Sequence, residues 1–312
     1  MENGTFPSNF YLSVFRDYGS LKYAFFALTA TLYFVIIFFN VIIIVVVIRN
    51  RALHQPMYIF ISCLSVNSLY GTLGFYPRLF IDLLSAFHTI SRPACFIQII
   101  VIYTYAMCEF TILTVMAYDR HVAICEPLKY SSIMTLKATG TLVAIATIYP
   151  MICMGMLTVL SSRLPMCSNE IPRVYCANWA VVKLSCIATT IHNILGFFIT
   201  VTTVFLPLVF VLYSYMNILA VCYKSSKEFR KKALQTCLPH IVTFVNYSIT
   251  MFCEIIISRF ELENELQILA IILSLEFLII PPVLNPLIYG LNLPDIRKRI
   301  INLFQKKDIL LA

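Results

Sequence analysis

MAYDRHVAIC, residues 116–125, sets Asp119, Arg120 and His121 side by side where a long apolar run ends. A charge left in hydrocarbon is costly, so the triplet belongs at a membrane face or in a polar protein interior. An Asp beside an Arg at a helix end can form a local ion pair in one helix arrangement and release the Arg to a partner in another. That makes the three residues a candidate switch. The competing reading is an interfacial charge cluster that only fixes helix depth.

Working outward, the run that ends at this triplet is one of seven. Apolar residues make up 60% of the 312 and charged ones 12%, with mean hydropathy +0.85, a balance foreign to water-soluble domains. A helix needs about 20 apolar residues to cross a bilayer. Runs of that length lie at 23–48, 57–84, 95–124, 139–160, 191–223, 233–258 and 265–291. The expected fold is all-α, an integral membrane bundle of seven transmembrane helices. Residues 1–22 form an outer N-terminal segment, 23–291 the membrane domain, and 292–312 an inner helix and tail. Too little chain remains for a second globular domain. The first run lacks a small-residue cleavage site and reads as a retained span.

Basic residues orient the bundle. With the N-terminus outside, the inner side holds Arg49, Arg51, Arg120, Lys129, Lys137 and Lys224. It also holds Lys227, Arg230, Lys231 and Lys232, then the tail cations from Arg297 to Lys307. Together these are 15 of the 23 basic residues, the positive-inside bias. The net charge of +8 reports this bias and contact with anionic lipid, and gives no case for a nucleic acid partner.

Asn3-Gly4-Thr5 is a glycosylation sequon on the outer segment, whereas Asn246-Tyr247-Ser248 lies within the sixth span, out of the enzyme's reach. Cys95, Cys167, Cys176 and Cys186 fall at or beyond the outer face, where oxidation is possible. Four cysteines allow three pairings, and the residues alone do not choose. Inside the spans, Pro207, Pro281, Pro282 and Pro286 each remove a backbone donor, and Asn285 is placed to serve a freed carbonyl. Asn67 and Glu109 are polar at mid-membrane depth. They suggest either a sodium site or a neutral Glu109 bonded to a neighbouring helix. Glu254 and Glu276 are further intramembrane acids without an assigned role. After the seventh span, Ile296, Ile300, Leu303 and Phe304 share one face and the basic residues the other, which reads as an amphipathic helix on the inner leaflet.

Seven spans, MAYDRHVAIC, and PxxNPxIY at Pro282, Asn285, Pro286, Ile288 and Tyr289 resemble a rhodopsin-class G protein-coupled receptor. Pro56-Met57-Tyr58, Ser214-Tyr215 and KALQTCLPH, residues 232–240, narrow the resemblance to odorant receptors, from Asn40 to the tail. NSLYGTLGFYPR and TILTVMAYDR look most like the fish-type branch. The resemblance implies disulfides Cys95–Cys176 and Cys167–Cys186. It implies an activation machinery of Asp119, Arg120, His121, Tyr215, His240, Asn285 and Tyr289. The basic residues from Lys227 to Lys232, Lys231 and Lys232 among them, would meet a stimulatory-type G protein that raises cyclic AMP, at the plasma membrane of olfactory sensory neuron cilia. Three positions depart from the pattern: Asn67 replaces an acid and weakens any sodium site, His121 replaces a tyrosine, and Ile102 leaves an amine ligand without a counter-ion.

For the ligand, Tyr103, Met107 and Phe110 share one face of the third span, and Met251 and Ile255 lie one turn apart in the sixth. With Thr203 they would line an apolar outer pocket for a small odorant. Arg259 at its rim could grip an anionic group bidentately, or face lipid headgroups instead. The alternatives are a non-olfactory receptor of the same class for a lipid or metabolite, and a polytopic transporter or channel, against which no internal repeat is seen. No nucleophile with base, HExxH or P-loop is present, so an enzyme is not expected.

Overall fold

The computed structural model describes residues 7–14, 19–259 and 264–310. Each apolar run becomes a helix: α1 (Leu21–Arg49), α2 (Pro56–Leu84), α3 (Arg92–Cys125), α4 (Leu136–Ser162), α5 (Thr190–Lys224), α6 (Lys227–Arg259) and α7 (Asn264–Asn292). In hydrocarbon each backbone N–H and C=O must find its partner within the segment, so even the β-branched stretch from Val41 to Val47 is held helical. Helices α1–α6 are individually long and apolar enough to cross a bilayer. The seventh crossing is the outer part of a bent pair, in which Leu275–Gly290 turns by 92° into Pro294–Leu303. The latter belongs to α8 (Pro294–Leu310), which opens on Pro294 with Asp295 in its first turn.

Helix α3 is the hub and packs against α2, α4, α5 and α6. Helices α2 and α3 approach closely at Gly71 and Gly74. A Cβ on Gly71 would overlap the Tyr105 ring, and one on Gly74 would come within 2.6 Å of Val101 Cγ1. Much of the remaining helix surface carries exposed Leu, Ile, Phe and Val, as on Phe34, Phe197 and Leu212, because lipid takes the place of water there.

Three prolines free carbonyls deep in the bundle, and each carbonyl is taken by a side chain from another helix. Pro150 gives no N–H to Ala146, whose oxygen accepts from Thr111 Oγ1 at 2.6 Å. Pro281 leaves Phe277 O to the Tyr105 hydroxyl at 3.0 Å. Pro286 leaves Pro282 O to Asn40 Nδ2 at 2.9 Å. The expectation that Asn285 would do this is corrected: its amide turns to Glu109, and the carbonyl is served from α1. Ahead of Pro207, α5 widens into a π turn at Val201–Phe205.

The all-α expectation needs one addition outside the membrane. Strand β1 (Asn9–Leu12) lies between β2 (Thr89–Ser91), antiparallel, and β3 (Glu170–Ile171), parallel. Its alternation puts Phe10 and Leu12 inward, both fully buried. Arg78, paired with Asp82, also donates to Thr89 O at 2.9 Å and so anchors β2. Both disulfides implied by the resemblance are present, Cys95–Cys176 and Cys167–Cys186. Asn3 lies outside the described residues.

Candidate ligand pocket and cytoplasmic switch

At the inner end of α3, Arg120 pairs with the Asp119 carboxylate, its Nε donating to Oδ2 at 3.0 Å. The other oxygen, Oδ1, accepts from the Tyr130 hydroxyl at 2.8 Å. Asp119 is fully buried, so both oxygens need a donor, and both have one. Pro127 breaks the chain after α3 and starts the short turn that brings Tyr130 round. Burial and the Asp119 carboxylate push the Tyr130 hydroxyl above the ordinary tyrosine range, so it stays a proton donor. Sequence reading missed Tyr130; the signal was a phenol in Pro127-Leu128-Lys129-Tyr130, eleven residues past an acid that needs a second partner.

His121 points elsewhere. Its ring stacks on Tyr213 of α5, centroids 6.4 Å apart, and does not join the Asp119–Arg120 pair.

Tyr215 and Tyr289 are both tied to α6. His240 Nε2 lies 2.9 Å from Leu113 O, which can only accept, so Nε2 carries the proton and Nδ1 accepts from the Tyr215 hydroxyl. The Tyr289 hydroxyl meets Thr243 Oγ1 at 3.1 Å. Lys231 is exposed on the first turns of α6, and the Lys232 side chain lies outside the described residues.

Asn67 and Glu109 are brought together at the bundle centre with Asn285. Asn67 Nδ2 donates to Glu109 Oε2 at 2.9 Å and to Tyr105 O at 3.0 Å, and Asn285 Nδ2 donates to Oε1. A sodium ion needs converging acceptor oxygens, whereas these amides present N–H to both carboxylate oxygens. The arrangement does not fit the ion, and no group of three metal-ligating side chains occurs among the described residues.

In the outer half, Tyr103 bridges the central and outer apolar clusters, and Met107 packs against the outer one. Both keep some accessible surface. Phe110 is buried against Phe244 and Tyr247, with ring centroids 5.2 and 5.9 Å away. Met251 joins the same central cluster, so these two form a floor. Thr203 is buried with its hydroxyl turned to Ile199 O at 2.7 Å, and Ile255 is half-buried.

The outer loop between α4 and α5 supplies what sequence reading missed. Arg173 Nη1 sits 3.6 Å from Glu254 Oε2, an ion pair without a hydrogen bond, and Tyr175 donates to Glu254 Oε1 at 3.1 Å. Tyr175 is fully buried between Phe75 and Phe277. The backbone N–H of Cys176 donates to Gln98 Oε1 at 2.9 Å, beside the disulfide to α3. The loop therefore reaches into the bundle mouth, and Glu254 gains its role as the loop's anchor on α6. The available signal was a lone intramembrane acid with a loop cation to match it. Arg259 is exposed, with its guanidinium carbon 4.0 Å from the Trp179 ring centroid and Nη1 donating to Asn193 Oδ1 at 2.9 Å. It thus faces the outer loop and α5.

A membrane bundle with a covered outer mouth and an Asp-Arg pair at its inner end defines a G protein-coupled receptor. The chain belongs to the olfactory receptor family, whose profile matches residues 29–307. It is similar to human olfactory receptor 10R2, 32% identical over 99% of this chain and 92% of the relative. It is similar also to human olfactory receptor 51I2, 34% identical over 81% of each, and to human olfactory receptor 10J1, 33% identical over 95% and 92%. The chain is accordingly a multi-pass plasma-membrane receptor for odorants, and not an enzyme. These relatives do not separate the fish-type branch from others.

Proposed function

We propose that this receptor takes a small odorant bearing an anionic group between Tyr103, Met107, Phe110, Thr203, Met251 and Ile255, with Arg259 at the mouth. It answers through Arg120 by activating a stimulatory-type G protein that raises cyclic AMP in olfactory sensory neurons. The observation that carries the inner half is the Asp119–Arg120–Tyr130 lock. In this arrangement the guanidinium is held by its neighbour, and a ligand frees it only by as much as it prefers the open arrangement. For the outer half, Arg259 spends one donor on Asn193 and keeps others for a carboxylate or sulfate, while Trp179 holds the plane of the fork.

Two substitutions test this. Arg120→Ala is expected to abolish the cyclic AMP response while surface expression survives; a full response in that variant refutes the switch. Arg259→Ala is expected to abolish responses to acids and spare neutral odorants, and an unchanged dose–response curve for acids ends the anionic reading.

A further inference from the structure

Two open clefts flank the inner end of α6, of about 600 and 590 Å3. The first is floored by Leu234, Leu238 and Ile241 and bordered at its cytoplasmic end by Lys227, Arg230 and Lys231. The second runs between α6 and the α7–α8 junction, past Val242, Ile288 and Leu293. Gln235 and Leu238 line both, so the clefts meet across one turn of α6.

The dimensions match one leaflet. Lys231 to Ile241 is a rise of about 15 Å at ~1.5 Å per residue, half of a hydrocarbon core of about 30 Å. The cations therefore sit at headgroup depth and the apolar floor spans the leaflet beneath them. Leu238 is 60% exposed between the clefts. Gln235, one turn inside Lys231, is exposed too, and an amide at that depth is costly without a partner. Pro239 gives no N–H to the Gln235 carbonyl, on a turn that opens into the clefts. Arg230 is committed to the end of α5, donating to Cys222 O at 3.2 Å and Tyr223 O at 3.0 Å. That leaves Lys227 and Lys231 as the cations turned to a ligand.

We propose that this end of α6 binds a phosphoinositide of the cytoplasmic leaflet. Its phosphates meet Lys227 and Lys231, the Gln235 amide donates to a glycerol-ester carbonyl, and the two acyl chains lie on either side of Leu238. Two lysines one turn apart on α6, with the Arg230 charge beside them, favour a headgroup with several phosphates over a singly charged one. The site faces lipid and is separate from the odorant pocket.

The test uses the full receptor in phosphatidylcholine nanodiscs containing a photocrosslinkable phosphatidylinositol bisphosphate. Crosslinks are expected to concentrate on residues 227–242. The Lys227→Gln/Lys231→Gln variant should lower them by about tenfold or more. Leu238→Trp, a membrane-facing change that fills the space between the chains, should lower them as well. Labelling spread evenly over the inner basic residues, α8 included, overturns the proposal, as does equal labelling by a phosphatidylcholine probe. So does a lysine variant that keeps its lipid crosslinks while losing G protein coupling, since the cations would then form a protein-binding surface.

Discussion

Tyr105 shows how one side chain decides the geometry of a helix two steps away in space. Its hydroxyl replaces the N–H that Pro281 lacks, and its ring occupies the space left by Gly71. Tyr105→Phe leaves the Phe277 carbonyl buried without a donor, at a cost of about 1–3 kcal/mol. A lower melting temperature of the purified receptor is the expected reading. Restoring the backbone donor with Pro281→Ala should make the same Tyr105→Phe change nearly silent, and a double-mutant cycle that shows no coupling removes this account. None of the three proline-freed carbonyls is matched to its donor by the sequence alone. The prolines themselves are legible, but Thr111, Tyr105 and Asn40 reach them across helix contacts, 172 residues apart for Tyr105 and Phe277. The same holds for Glu254: the acid stands out alone in its span, and only the fold brings Arg173 to it.

At the scale of elements, the helices were readable because the bilayer imposes a length and a composition on every span. The run at 57–84 differs from α2 by one residue at its start, and that at 191–223 from α5 by one residue at each end. The strands are not readable, since four residues of β1 and two of β3 are too few for an alternation to stand out from the sequence around them. Helix α8 was legible from its two-faced spacing, but its tether was not: the Tyr58 hydroxyl donates to Asp295 Oδ2 at 2.7 Å. This gives Pro56-Met57-Tyr58 a physical task, holding the first turn of α8 against the start of α2. Tyr58→Phe is expected to raise the mobility of a spin label at Arg299 with little change in global melting. An unchanged spectrum would mean that packing of Ile296, which is fully buried, suffices alone.

Across the whole molecule, charge sets the direction in which the bundle sits, and glycosylation reads that direction out. Asn3→Gln is expected to remove the glycosidase-sensitive gel shift, while Asn246→Gln leaves it intact, because α6 places residue 246 inside a span. A shift that survives Asn3→Gln would contradict the orientation. The outer cap carries a consequence for biosynthesis. Its middle strand is synthesised before both of its neighbours, one following some eighty residues later and the other some 160 later. The amino-terminal segment must therefore wait, unzipped, until half the chain has been threaded through the translocon, and only then can the seal over the receptor's mouth close.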